Sequence, residues 1–217
     1  MKRVDLTDIP KNFLSTQRVE TLNDGVFAIV MTLLVLDLRM PEIAAADLLP
    51  HLIQEWPMFL SYAASFVLLG VFWVGHVTQY SSIRYADRIL LWINIAMLLF
   101  ASLIPFTTSL MGRYADQEIT VLLYGLNLII LGLISYWHWC YATHHHRLVD
   151  HNIDDRFILL AKRRILFSPL VCLLAILISF VSIKLSLFLY IIIPPFFILP
   201  GKIDQFWHRP AVPHNHE

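Results

Sequence analysis

The chain has 217 residues, of which 58% are hydrophobic and 15% charged, with sixteen basic and sixteen acidic side chains and no net charge. A water-soluble domain carries about a quarter charged residues, so this composition excludes one and points to a polytopic, all-helical membrane protein. The neutral balance gives nucleic acid no electrostatic footprint.

Residues 1–20 read as a polar arm containing Pro10, without the apolar run of a cleavable signal sequence. The first helix is predicted from about Thr21 to Met40, with Pro41 as its stop. Its apolar part, Asn23 to Leu38, would span only about 24 Å, against about 30 Å of hydrocarbon. A helix this short must thin the bilayer or be shielded by protein, which suits a central element beside a cavity. At about 100° per residue, Ile29, Leu33 and Leu36 fall within an arc of about 60°. Gly25, Ala28 and Thr32 make an adjacent strip of small residues that lets helices approach closely. Copies of this helix around an axis would stack Ile29, Leu33 and Leu36 as rings across a pore. The same spacing also suits an ordinary buried helix.

A loop from Pro41 to Glu55 leads to a second span, about Trp56 to Tyr80, which carries Trp73 and His76 near its end. A short link leads to a third span, about Ile89 to Met111, containing Asn94 and Pro105. The fourth, about Ile119 to Tyr141, contains Asn127 and His138. A polar loop, Ala142 to Arg164, precedes the fifth span, about Ile165 to Ile183. The sixth, about Leu185 to Leu199, is expected to be short and broken at Pro194 and Pro195. Residues 21–199 thus make a six-helix domain, and residues 200–217 a polar tail. Trp56, Tyr114, Trp137 and Trp139 read as interface anchors. Cys140 and Cys172 lie in apolar segments and read as packing residues, without the pattern of a disulfide framework or metal motif.

Six spans put both termini on one side. Thirteen of the sixteen Lys and Arg residues fall on that side, and only Arg39, Arg113 and Lys184 on the other. Basic loops stay inside, so both termini are expected in the cytoplasm, with the chain in the inner (plasma) membrane. The outer loops hold Glu42, Asp47, Asp116 and Glu118, an acidic bias that concentrates cations. This topology sets Asp24 at the cytoplasmic base of the first helix, at the depth of Trp73 and His76. A buried Asp needs a partner. The expectation is a polar network of Arg18, Asn23, Asp24, Trp73 and His76 that fixes the helix's rotation. Asp24 would alternatively, or in addition, cap the helix.

RVETLNDGVFAIVMTLLVLDL, Arg18 to Leu38, resembles the first-helix signature of the transmembrane protein 175 family, the lysosomal-type potassium channels with bacterial members. The family pattern is Arg, three residues, then Phe-Ser-Asp. Arg18 and Asp24 keep that distance, while Leu22-Asn23 replaces Phe-Ser. Phe72 to Tyr114 is similar to bacterial members, with Trp73 and His76 in an aromatic-Trp-x-x-His pattern followed by Asp87, Leu91, Trp92, Asn94 and Pro105-Phe106. The resemblance covers about the first half of the chain. It implies a homotetramer with the first helices lining a central pore, no filter loop, and no cofactor. TVGYG is absent from the sequence. It also implies a constriction at Ile29, with Leu33 and Leu36 beyond it, and a selectivity role for Thr32. Rings of this kind gate by dewetting, and Asp37 is expected near the outer mouth.

His144, His145 and His146, with Asp150 and His151, raise a metal site, but adjacent histidines diverge and a solvated loop fits better. His208, His214 and His216 read likewise. The rival function classes are a proton- or cation-coupled transporter, for which the paired repeats are missing, and a membrane enzyme, whose converging acid, base or metal groups are not evident.

Overall fold

A chain surrounded by hydrocarbon has to satisfy its backbone polar groups internally, and this one does so with helices. The computed structural model describes residues 14–39, 42, 44–150 and 153–198. The tail 200–217, most of the amino-terminal arm, Pro41 and His151 lie outside the described residues. Helices α1 (Gln17–Leu33), α2 (Leu48–Gln54), α3 (Trp56–Tyr80), α4 (Arg88–Ser102), α5 (Ile104–Arg113), α6 (Glu118–Thr143), α7 (Asp155–Ser179) and α8 (Ile183–Ile198) gather into six rods, with α4 and α5 nearly continuous and α2 a short surface helix. Four rods, Gln17–Asp37, Trp56–Tyr80, Arg88–Arg113 and Glu118–His146, are long and apolar enough to cross a membrane.

The second and fourth spans fall where the hydropathy put them. The third and sixth keep their outer bounds to within about two residues but differ in continuity, and the first and fifth begin earlier than expected. α1 starts at Gln17 on the Thr16 carbonyl. Asp24 therefore sits inside the helix and does not cap it. Beyond Leu33 the chain tightens into a 3₁₀ turn, Leu34–Asp37. Together they extend about 34 Å, including the first six residues, which carry Arg18 and Glu20; the part from Asn23 on keeps its expected length of about 24 Å. Pro105 lacks the N–H that would bond to Ala101, and the third rod is interrupted at Leu103. α7 begins ten residues before the expected fifth span, because Asp154 caps it through a bond from the Arg156 N–H at 2.8 Å. Its Lys162, Arg163 and Arg164 hid it from a hydropathy reading, although long cationic side chains can lie along apolar surface. α8 runs through Pro194 and Pro195 to Ile198 unbroken. Leaving the helix in lipid would expose more backbone groups than the two bonds the prolines remove. α2 and a 3₁₀ turn at Ala45–Asp47 occupy the expected outer loop.

Two apolar cores hold the bundle. The larger joins Phe27, Val30 and Leu34 of α1 to Leu68, Leu69, Met97, Leu128 and Leu131. The smaller surrounds Trp139 and closes the end where the basic residues gather, with Tyr80, Leu90, Leu148 and Phe157. Trp139 is fully buried and donates to the Ile158 carbonyl at 3.3 Å, so it packs the core and is no interface anchor. Trp56, Tyr114 and Trp137 are exposed. An antiparallel pair, β1 (Leu14–Ser15) and β2 (Tyr85–Ala86), ties the start of α1 to the link after α3. Asp87 caps α4 through the Leu90 N–H at 2.9 Å, accepts from the Tyr141 hydroxyl at 2.6 Å and meets Arg147 at 3.1 Å.

α6 packs along α7, and α7 along α8, at small residues. A Cβ on Gly132 would stand 2.5 Å from Pro169 Cγ, and one on Gly125 would meet the Tyr190 hydroxyl and Ile176. A Cβ on Gly75 meets nothing within 4 Å. Overpacking costs about 1–3 kcal/mol. Gly132→Ala and Gly125→Ala are expected to lower the thermal midpoint in detergent by that equivalent, and Gly75→Ala to leave it unchanged or slightly higher.

Candidate functional site: the outward face and buried base of α1

α1 packs on α3 and α4 and less extensively on α5. Phe27, Val30 and Leu34 face inward and are buried. The opposite strip is open: Ile29 is 60% exposed, Leu33 43% and Leu36 58%. The 3₁₀ turn moves Leu36 nearly over Leu33, because residues three apart eclipse in that helix. Thr32 is exposed beside them, and its hydroxyl donates to the Ile29 carbonyl at 2.8 Å. With its proton committed to the backbone, the oxygen presents lone pairs outward. Asp37 accepts from the Ser109 hydroxyl at 3.0 Å and lies 3.7 Å from Arg113, so its charge is shared with α5.

At the other end of α1 the structure brings Asn23, Asp24, Trp73 and His76 together, with Asn94 added from α4. His76 Nε2 lies 3.0 Å from Asn23 Nδ2 and 3.1 Å from Asn94 Oδ1, all three residues buried. One ring nitrogen cannot accept from the first and donate to the second at once. Each tautomer therefore serves one asparagine, and Asn23 Oδ1 has no hydrogen-bond partner among the described residues. The Trp73 indole N–H donates to Asp24 Oδ1 at 2.8 Å. Arg18 is not joined to this cluster by a hydrogen bond among the described residues. It lines a pocket of about 390 Å³ with Arg88, Trp92 and Asn94.

The cluster continues into groups that the sequence reading missed. His76 stacks on Tyr80, ring centroids 4.4 Å apart. His138 Nδ1–H donates to Gln79 Oε1 at 2.9 Å, and its Nε2 accepts from the Tyr80 hydroxyl at 3.2 Å. Gln79 Nε2 donates to Ser135 Oγ at 3.2 Å. The available signal was helical spacing: His76, Gln79 and Tyr80 share one face of α3, and Ser135 and His138 one face of α6. Asn127 is buried in α6 with neither amide atom partnered among the described residues. In the histidine loop, His146 reaches Asp155 at 3.4 Å, and His145 and His146 adopt positive φ. The described residues contain no group of three metal-binding side chains.

A bundle whose described residues include four helices long and apolar enough to cross a bilayer is that of a membrane protein. Residues 18–105 match the family model described as endosomal/lysosomal potassium channel TMEM175. A protein of Streptomyces collinus named a potassium channel is 29% identical over 175 residues, covering 78% of this chain and 85% of that one. One of Chamaesiphon minutus, also named a potassium channel, is 27% identical over 190 residues, covering 85% and 94%. The human protein named endosomal/lysosomal proton channel TMEM175 is 32% identical over 133 residues, 56% of this chain and 26% of the human one. The crystal structure of a lysosomal potassium-selective channel TMEM175 homolog from Chamaesiphon minutus matches with a TM-score of 0.76 at 26% identity, covering 85% of this chain and 96% of that one. Residues 18–105 are thus similar to the TMEM175 potassium channels, and most of the chain is similar to bacterial proteins named potassium channels.

His76→Phe keeps a ring against Tyr80 but leaves both asparagines without the ring nitrogen. Removing one partner of a buried polar pair costs about 1–3 kcal/mol. The variant is expected to lose that much stability in detergent unfolding. Asn94→Leu in the His76→Phe background is expected to cost less than Asn94→Leu in the wild type, a coupling read by the double-mutant cycle.

Proposed function

We propose that the protein is a potassium-favouring cation channel, a homotetramer of six-helix subunits whose α1 helices line a central pore without a filter loop. The observation that carries this reading is the open strip of α1. Ile29, Leu33 and Leu36 stand exposed in one row beside Thr32, while the opposite face is buried in the subunit. Around an axis this row makes apolar rings, which empty a narrow pore of water and stop ions. The Thr32 oxygen supplies part of a cation's hydration shell. Selectivity from such a site is modest, because no carbonyl cage replaces the whole shell. Asp37, tied to Ser109 and Arg113, braces the outer end of the strip and contributes a shared negative charge at the mouth. The base of Asn23, Asp24, Trp73 and His76, in which Asn23 and His76 are buried, sets the rotation of α1, and opening turns or splays α1 against it. Arg18, outside that cluster, stands at the cytoplasmic entrance. Residues 21–199 form the membrane domain, and the arm 1–20 and tail 200–217 lie in the cytoplasm of a cell whose plasma membrane holds the channel. Potassium ions, further copies of the chain and the bilayer are its partners.

A coupled transporter is the second reading. It is favoured by the buried hydrogen-bonded run of Tyr80, His138 and Gln79 beside His76, since intramembrane polar groups of this kind serve proton relays.

Single-channel recording in planar bilayers under a K⁺/Na⁺ gradient separates the two. Discrete K⁺-favouring openings are expected from the wild type. Ile29→Asn is expected to conduct more or select less, and Thr32→Ala to reduce the K⁺ preference. Absence of discrete openings from every form, with tracer uptake that saturates and follows a pH gradient, would establish the transporter instead.

A further inference from the structure

Beside the base of α1, and sharing Trp73 with it, a lateral cavity of about 660 Å³ is enclosed by α3, α6, α7 and α8 together with Met31 of α1. Its size falls within the range of about 300–1,000 Å³ in which small-ligand sites occur. Aromatic and aliphatic side chains, Phe72 and Phe157 among them, make most of the lining. The polar groups in it are few, and those of Thr78 and Gln79 are engaged with Val74, Ser135 and His138. Ser168 is buried on α7, and its hydroxyl has no hydrogen-bond partner among the described residues. Ser135 accepts from Gln79 and retains its own proton to donate. Arg164, one turn before Ser168, holds the Phe197 carbonyl at 2.6 Å and brings a guanidinium to the same wall. Hydroxyl and guanidinium donors set in an apolar groove match a ligand with acceptors only and a long apolar body. Lys162 and Arg163 adjoin Arg164 on the same turn, and neither has an ion-pair partner among the described residues. A cluster of cations beside a cleft between membrane helices complements an anionic headgroup.

We infer that this cavity binds one anionic phospholipid per subunit, from the leaflet at the basic end of the bundle. Its phosphodiester lies at Arg164, an ester oxygen reaches Ser168 or Ser135, and an acyl chain follows the groove past Gly75. The groove also meets the buried polar chain directly, because Gln79 both lines it and accepts from His138. Occupancy is thereby linked through Tyr80 and His76 to the base of α1.

The test is native mass spectrometry of the full chain, delipidated in detergent and titrated with phosphatidylglycerol or phosphatidylcholine. Wild type is expected to retain phosphatidylglycerol about fivefold more tightly, the effect of one well-placed cation. Arg164→Gln is expected to abolish that preference, while Lys162→Gln, off the groove, keeps it. Gly75→Phe fills the groove from a position where a Cβ meets no neighbour, and Ser168→Leu fills it from the opposite wall. Both are expected to lose retained lipid. Equal retention of the two lipids by wild type, or undiminished retention by both filling variants, would overturn the assignment. Loss of the oligomer in Gly75→Phe, with lipid retention unchanged, would assign the groove to a second copy of the chain and overturn it too.

Discussion

The buried polar contacts between α1, α3 and α4 converge on a single imidazole. His76 stands between Asn23 of α1 and Asn94 of α4, and an unmet amide at that depth costs several kcal/mol. Apolar packing alone fixes a helix's rotation loosely, since Leu, Ile and Val fill similar space whichever way they turn. A directional bond does not have that freedom. With Asn23 turned toward α3 and α4, residues six and more positions on are assigned their sides: Val30 and Leu34 inward, Ile29, Leu33 and Leu36 outward. Trp73 adds a second directional contact through Asp24, on the neighbouring face.

The two ends of α1 are held differently. The base is buried and polar, whereas the outer end is half-exposed, tightened into a 3₁₀ turn and tied to α5 by Ser109 and Arg113 through Asp37. Half-exposed ion pairs contribute little, so the base is the stronger anchor. The stretch between them offers water, lipid or a second copy only apolar carbon and one hydroxyl oxygen. α1 is thus pinned at one end, loosely tied at the other and open along one side.

Much of this was legible before the fold was known. Runs of apolar residues gave the spans of α3 and α6, and the 100° periodicity gave the row of Ile29, Leu33 and Leu36. The expected partner of Asp24 is present in Trp73, but Asp24 itself is exposed, and the buried partner of His76 on α1 is Asn23. What escaped was of three kinds. α7 was shortened because hydropathy sees the charge of Lys162 to Arg164 and not their long aliphatic stems. The prolines of α8 were taken as breaks, although in lipid a helix with two missing bonds outcompetes an exposed backbone. The pairing of Tyr80 with His138 and of Asp37 with Arg113 depends on which helices adjoin, and no single-helix periodicity contains that. The sequence resemblance covered half the chain; the structural match to the Chamaesiphon minutus channel homolog extends over 85% of it.

The interlocked glycines of α6 have an effect on how the molecule comes apart. Gly125 against Tyr190 and Ile176, and Gly132 against Pro169, seat α6, α7 and α8 backbone to side chain with no room between them. α1 has fewer neighbours and a whole face without any in the chain. Opening events in proteins follow such differences in local packing. The chain therefore divides into a late-melting raft of three helices and an early-releasing strap. Amide exchange in the membrane-embedded protein is graded accordingly, fastest along the 3₁₀ end of α1 and slowest around Gly132.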